Sequence, residues 1–152
     1  MNEGTELNEL YKELTPEVRD ELSRHEERVT VPAGTKLIRP RSTPEHLIFI
    51  EQGSVEISVP AGEKALCVNV VGSGKVLGLR PIVANAAPEI EARALENCTI
   101  VRVPREIFVR ALKQHSEMYF AISKVLSADL NTAERMLRDL PRSAKKEHNA
   151  TF

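Results

Sequence analysis

The spacing of apolar residues changes along the chain and divides it into helical and β regions. Across residues 29–103 the apolar runs are short and are interrupted by turn residues at close intervals, a pattern typical of an all-β barrel or jelly roll. Residues 47–50 are continuously apolar and predict a strand buried on both faces, whereas residues 54–59 alternate and predict a strand with one solvent face. A Gln-Gly pair between these two runs predicts the hairpin that joins them.

Helical spacing precedes and follows this β region. Before it, Thr15 is suited to cap a helix that begins with Pro16, and an earlier helix is predicted from the spacing of apolar residues 7–14. After it, a short helix is predicted over residues 104–113 and a longer one over residues 116–140. The predicted organisation is a single domain with N-terminal helices in residues 1–27, a β-roll core in 28–103, C-terminal helices in 104–140 and a polar tail in 141–152.

Two apolar sets share the last predicted helix. Ile122 and Val125 form one set, which we expect to face the helix's own β domain. The second set recurs at alternating spacings of four and three, the a/d pattern of a coiled coil, and consists of Leu126, Leu130, Ala133, Leu137 and Leu140. We therefore expect a homodimer formed through this helix, and the alternative is simple packing of the helix on one core.

Composition, net charge and cysteine count limit the classes of protein to which this chain could belong. The chain has 152 residues with 41% hydrophobic and 28% charged residues, as expected for one folded domain, and its polar start lacks the apolar core of a signal peptide. We expect a cytoplasmic protein without membrane segments. The net charge of -1 does not indicate the excess of basic residues that is typical of proteins that bind nucleic acid. Cys67 and Cys98 are too few for a disulfide framework, and we expect both to be small buried side chains.

Four short segments, taken together in their order and spacing, form a pattern that is specific enough to compare with a known family. They are PAGT at residues 32–35, HLIFIEQGSVEIS at 46–58, VGSGKVLGL at 71–79 and ARALENCTIVRVPREIFVRAL at 92–112. Over about residues 5–140 the chain resembles the cyclic-nucleotide-binding-like sensor domain of the catabolite activator protein/FNR regulators. The resemblance implies a mainly β fold, a double-stranded β-helix (jelly roll) with flanking helices, a ligand pocket between its sheets and a long C-terminal helix that pairs with its twin.

The phosphate-binding cassette is where the sequence departs from that family. The family carries Gly-Glu and, about ten residues later, Arg-Ser/Thr-Ala, whereas the matching residues here are Gly78-Leu79 and Pro88-Glu89-Ile90. In the family the arginine neutralises the phosphate and the glutamate accepts a hydrogen bond from the ribose, and neither Pro88 nor Leu79 can do so. Losing one partner of a buried charge pair costs about 2 to 5 kcal/mol. Candidate pocket residues are Gly78, Leu79, Arg80, Pro88, Glu89 and Ile90.

We expect these candidates to differ in role. Gly78 lets the backbone turn close to a ligand, Leu79 and Ile90 supply apolar wall, and Arg80 is the charged side chain that could substitute for the missing cation. Arg93 is expected to point away from the interior, because it alternates with Ala92 and Ala94.

The resemblance, together with the altered cassette, thus implies a stand-alone, non-catalytic regulatory module that senses an unidentified small molecule and does not bind cyclic AMP. The alternative function is a dimerisation partner or modulator of a full-length regulator of the same family. No cofactor is expected, because the chain lacks the clustered histidines of a metal site and the four thiolates of an iron-sulfur cluster. Haem is the open alternative, since His25, His46, His115 or His148 could serve as an axial ligand, although no motif surrounds any of them. The twelve residues after Leu140 are too few for a helix-turn-helix, so we expect no direct DNA binding by this chain, which is either a stand-alone sensor or a fragment of a longer regulator.

Overall fold

Strands occupy the middle of the chain, and helices flank them on both sides. The structure is a computed structural model that describes residues 7–138. The strands are β1 (Glu27–Val31), β2 (Lys36–Ile38), β3 (His46–Gln52), β4 (Val55–Ala61), β5 (Lys64–Val71), β6 (Val76–Leu77), β7 (Glu91–Ala94) and β8 (Cys98–Pro104). The helices are a 3-10 helix (Tyr11–Glu13), α1 (Pro16–Ser23), α2 (Leu79–Ala84), α3 (Arg105–Gln114) and α4 (Met118–Arg138).

The eight strands form two antiparallel four-stranded sheets. The first sheet has the order β1-β8-β3-β6 and the second has the order β2-β7-β4-β5. Strands β3 and β8 are central in the first sheet, and their register pairs Ile48 with Arg102 and Ile50 with Ile100. This arrangement of strands confirms the predicted jelly roll with flanking helices.

Two apolar clusters hold these layers together. The interior cluster lies between the two sheets and contains Ile38, Ile48, Ile50, Val55, Leu77, Ala92, Ala94, Cys98 and Ile100. The helix-side cluster joins the other face of the first sheet to the helices, and its members include Leu47, Phe49, Val101, Val103, Phe108 and Leu112. Residues 47–50 are buried throughout, as predicted, because alternate side chains of β3 enter alternate clusters.

The N-terminal segment contains less helix than its apolar spacing predicts. The Asn8 side-chain oxygen accepts hydrogen bonds from the backbone N–H groups of Leu10 and Tyr11, at 3.0 and 2.7 Å, and only a three-residue 3-10 helix follows. The predicted helix over residues 7–14 is therefore, in the described part, one short turn packed on the helix-side cluster. Helix α1 begins as predicted, with Pro16 in first place and the Thr15 hydroxyl accepting from the N–H of Val18.

The last helix is fixed to the roll by one of its two apolar sets. Ile122 and Val125 are buried in the helix-side cluster, as predicted. Ion pairs also connect α4 to the roll. The Lys75 ammonium pairs with Asp129 of α4 and lies 3.5 Å from the carboxylate of Glu9. The same Glu9 carboxylate accepts a 2.7 Å hydrogen bond from the N–H of Val76. The turn before β6, the N-terminal segment and α4 therefore meet at Lys75.

The two cysteines have different environments. Cys98 is buried in the interior cluster, as predicted, but Cys67 is exposed, so the expectation that both are buried is wrong for Cys67. The reason is its place on β5, an edge strand of the second sheet on which Leu66 and Val70 are also exposed. Over residues 7–138, no helix combines the length and apolar character needed to cross a membrane.

Candidate functional site

The candidate cassette begins with a left-handed turn at Gly78. Its backbone has a φ of 86°, which glycine adopts without a steric penalty, and this turn starts α2. A Cβ at this position would lie 3.5 Å from the carbonyl oxygen of His46 and 3.5 Å from Cδ1 of Ile38. Pro81 lies in the first turn of α2 and has no N–H to offer an anion. The cassette therefore keeps its turn but presents few donors.

The structure separates the two residues that were expected to form one apolar wall. Leu79 is only 4% exposed and belongs to the helix-side cluster with Ile82. Ile90 is partly buried and packs against the interior cluster. Leu79 therefore packs under the helices, and Leu77 is the residue of this segment that enters the space between the sheets.

The remaining cassette positions give no buried cation. Pro88 is buried, and its carbonyl oxygen accepts a 2.9 Å hydrogen bond from the backbone N–H of Arg41. Arg80 and Glu89 are both exposed. Arg93 points outward as predicted, and its guanidinium lies 3.5 Å from the carboxylate of Glu56. The cassette thus combines buried apolar residues with charges that remain in water.

A half-open cavity of about 300 Å³ lies outside the cassette, between β2, the loop of residues 39–45 and the inner face of β3 and β8. Its lining residues are Val31, Thr35, Lys36, Leu37, Ile38, Arg39, Ser42, Thr43, Pro44, Glu45, His46, Ile48, Ile100 and Arg102. None of the six candidate cassette residues is among them. We call this space the β2 cavity.

Sequence reasoning missed Arg102, which lines the β2 cavity. Its Nη2 donates a 2.6 Å hydrogen bond to Glu27, while its Nε is enclosed and has no hydrogen-bond partner among the described residues. A signal was present in the sequence, because Arg102 continues the inward-facing alternation of Cys98 and Ile100 on β8. A cation on the inner face of a central strand is unusual and calls for a functional or structural explanation.

The α4 residues predicted to form a dimer seam are described in part. Leu126 is half-buried and packs against the helix-side cluster, and Leu130 is 60% exposed. The same spacing continues backwards to Ser123 and to Tyr119, which is 52% exposed. The side chains of Ala133 and Leu137, and the whole of Leu140, lie outside the described part of the chain.

The clear pKa shifts belong to groups in the N-terminal segment and on the surface of the first sheet. Burial raises the pKa of Tyr11, and its hydrogen bond to Glu26 adds to the shift. Burial also raises the pKa of Glu9. The two hydrogen bonds from Arg28, both 2.7 Å, lower the pKa of Glu51. In the described part of the chain, no three His, Cys, Asp or Glu side chains gather in a way that could hold a metal ion.

Comparison with protein families gives a match over most of the roll. The family model of the cyclic nucleotide-binding domain matches residues 28–115. No curated protein sequence matches this chain.

Solved structures share the fold at low sequence identity. The catabolite activator protein of Thermus thermophilus is 18% identical with a TM-score of 0.71, and the match covers 86% of this chain and 62% of that chain. The sensor domain of the transcriptional regulator DNR from Pseudomonas aeruginosa is 17% identical with a TM-score of 0.66, covering 81% and 88%. The regulatory domain of Toxoplasma gondii PKA, crystallised with cAMP, is 21% identical with a TM-score of 0.65, covering 68% and 40%.

Proposed function

Because this chain belongs to the cyclic nucleotide-binding domain family, we propose that it is a non-catalytic regulatory module whose cassette does not hold a cyclic nucleotide. The match spans about 60% of the length of the Thermus catabolite activator protein, so the proposal concerns the sensing part of such a regulator. A cytoplasmic location is part of the proposal, in keeping with structural relatives that are regulators.

The observation that supports this proposal best is the distribution of charge and burial in the cassette. A cyclic nucleotide carries a permanent negative charge, which a partly dry pocket accepts only when a cation and several N–H groups contact it. Here Leu79 and Pro88 are buried, while Arg80 is exposed and Glu89 adds a nearby negative charge. These residues favour exclusion of a phosphate over its capture.

Calorimetric titration with cyclic AMP and cyclic GMP tests the proposal. We expect no heat of binding at micromolar nucleotide from the wild-type protein, whose folding is verified by circular dichroism. The Arg80→Gln variant is the matched control, because Arg80 is the cassette cation that could replace the missing arginine. Micromolar binding by the wild type that disappears in Arg80→Gln would refute the proposal and identify Arg80 as the phosphate ligand.

We also propose that the module pairs through α4. The exposed Leu130 and Tyr119, with the half-buried Leu126 between them, support pairing because apolar side chains at a/d spacing gain stability when a second helix covers them. The same observation supports the alternative function, in which the second helix comes from a full-length regulator. Sedimentation at micromolar concentration separates the two possibilities, since a dimer favours self-pairing and a monomer favours a different partner.

A further inference from the structure

The β2 cavity combines an apolar wall with polar and charged lining residues. Its apolar wall is formed mainly by Val31, Ile38, Ile48 and Ile100. The charged lining residues are three cations and one carboxylate, namely Lys36, Arg39, Arg102 and Glu45. Among the described residues, Lys36 is paired with Glu91 outside the cavity, at 3.2 Å, while Arg39 has no side-chain partner. Arg102 is likewise paired with a carboxylate outside the cavity lining, that of Glu27, through one nitrogen of its guanidinium.

The guanidinium of Arg102 has N–H donors that its described ion pair does not use. It lies between Ile48 and Glu27 in the sheet register, its side chain is 35% exposed, and its described ion pair uses Nη2 alone. Among the described residues the enclosed Nε–H has no acceptor, which costs free energy that an oxygen atom in reach would recover. An arginine with unused donors is suited to a planar group that accepts two parallel hydrogen bonds.

We propose that the β2 cavity binds a small monocarboxylic acid with an apolar body. The carboxylate accepts from an Nη of Arg102 and, after a small rotation of the guanidinium, from its Nε, while the apolar body contacts Ile38, Ile48 and Ile100. A volume of about 300 Å³ lies at the small end of ligand-binding pockets and suits an acid of about ten heavy atoms. This inference rests on the proposed sensing function, because it names the class of molecule that is sensed.

The cavity is connected to the cassette by one loop. Residues 39–45 line the cavity, and the N–H of Arg41 in this loop bonds to the carbonyl of Pro88 at 2.9 Å. Ile38 and Pro44 of the cavity wall also approach Gly78. A Cβ built on this glycine would lie 3.5 Å from Cδ1 of Ile38 and 3.7 Å from Cβ of Pro44. A ligand that moves this loop would therefore act directly on the turn before α2 and on the segment before β7.

Calorimetric titration of the purified chain with octanoate and benzoate tests the inference, and benzamide serves as the uncharged probe. We expect both acids to bind and benzamide to bind at least about 10-fold more weakly, since benzamide has no negative charge to pair with the guanidinium and one acceptor oxygen in place of two. Arg102→Gln should weaken acid binding by about 10- to 100-fold for the same reason. Arg93→Gln is the matched control, because this arginine also pairs with a carboxylate but lies on the outer face of the second sheet. It should leave acid binding unchanged.

A second measurement does not depend on the folding of any variant. In the wild-type protein, octanoate should shift the Arg102 Nε–H resonance in an arginine-selective NMR spectrum and leave that of Arg93 in place. The inference is overturned if neither acid binds, if benzamide binds as tightly as benzoate, or if the Arg102 resonance does not move at saturating acid. Each of these results is independent of the cyclic AMP titration, so the failure of this inference is distinguishable from failure of the proposed function.

Discussion

At the scale of single residues, Leu79 stands where the family has a ligand-contacting glutamate, yet it packs into the helix-side cluster. Leu79→Ala should therefore lower the free energy of unfolding by about 2 to 4 kcal/mol, because it removes buried methyl groups and leaves a cavity. Arg80→Ala, one residue later on the exposed side of α2, should change it by less than about 0.5 kcal/mol. Urea denaturation measures both variants, and equal effects would show that Leu79 has no special role in packing.

The directions of individual side chains were predictable where a strand alternates cleanly. The outward position of Arg93 follows from its alternation with Ala92 and Ala94, and the structure agrees. The same rule places Arg102 inward, and the conflict between its charge and an inner face was the signal that sequence reasoning did not use. The cluster that Leu79 joins was not predictable, because β6 ends at Leu77 and the left-handed Gly78 starts α2, so the alternation of a strand no longer applies to Leu79.

At the scale of elements, Glu9 joins the N-terminal segment to β6 and, through Lys75, to α4. Burial raises its pKa, so the stability that Glu9 contributes is present at low pH and is lost as the pH rises through its folded pKa. Glu9→Gln keeps an oxygen for the N–H of Val76 and removes this titration. The wild type should therefore lose stability relative to Glu9→Gln as the pH rises above the usual glutamate pKa of about 4.3.

Glu51 provides a comparison of opposite sign. The hydrogen bonds from Arg28 lower its pKa, so its contribution is present above the usual glutamate pKa and is lost as the pH falls through the folded pKa. The wild type should be more stable than Glu51→Gln near neutral pH and should lose this advantage in acid. Thermal unfolding of the three proteins across this pH range measures both effects, and parallel curves for the two variants would contradict the assignment.

Element boundaries were predictable where a chemical group sets them. The side chain of Thr15 and the fixed φ of Pro16 determine the start of α1, and both are visible in the sequence. The length of the helix before it was overestimated, and the structure has a three-residue 3-10 helix there. Apolar residues spaced for a longer helix also suit a single turn whose side chains are held by tertiary packing. Cys67 was misjudged for a similar reason, because a strand pattern does not reveal which strand lies at the edge of a sheet.

At the scale of the whole molecule, the jelly roll and its closing helix were predictable from the resemblance to the family. Pairing of two chains through α4 is a prediction. Leu130→Glu combined with Leu137→Glu should convert a dimer into a monomer, because two charges on the seam would have to be buried without partners. Ala128→Glu is the control, since residue 128 is exposed and lies away from the a/d positions. Sedimentation velocity measures all three proteins, and an unchanged coefficient in the double variant would exclude pairing through this seam.

The contrast between the two cysteines has a practical consequence for such experiments. Cys98 is enclosed between the sheets while Cys67 is open to solvent, and the chain has no other cysteine. A maleimide reagent should therefore attach a single probe per chain under native conditions, on β5 and away from α4. A spin label placed there would report the separation of two rolls in a pair without any engineered substitution.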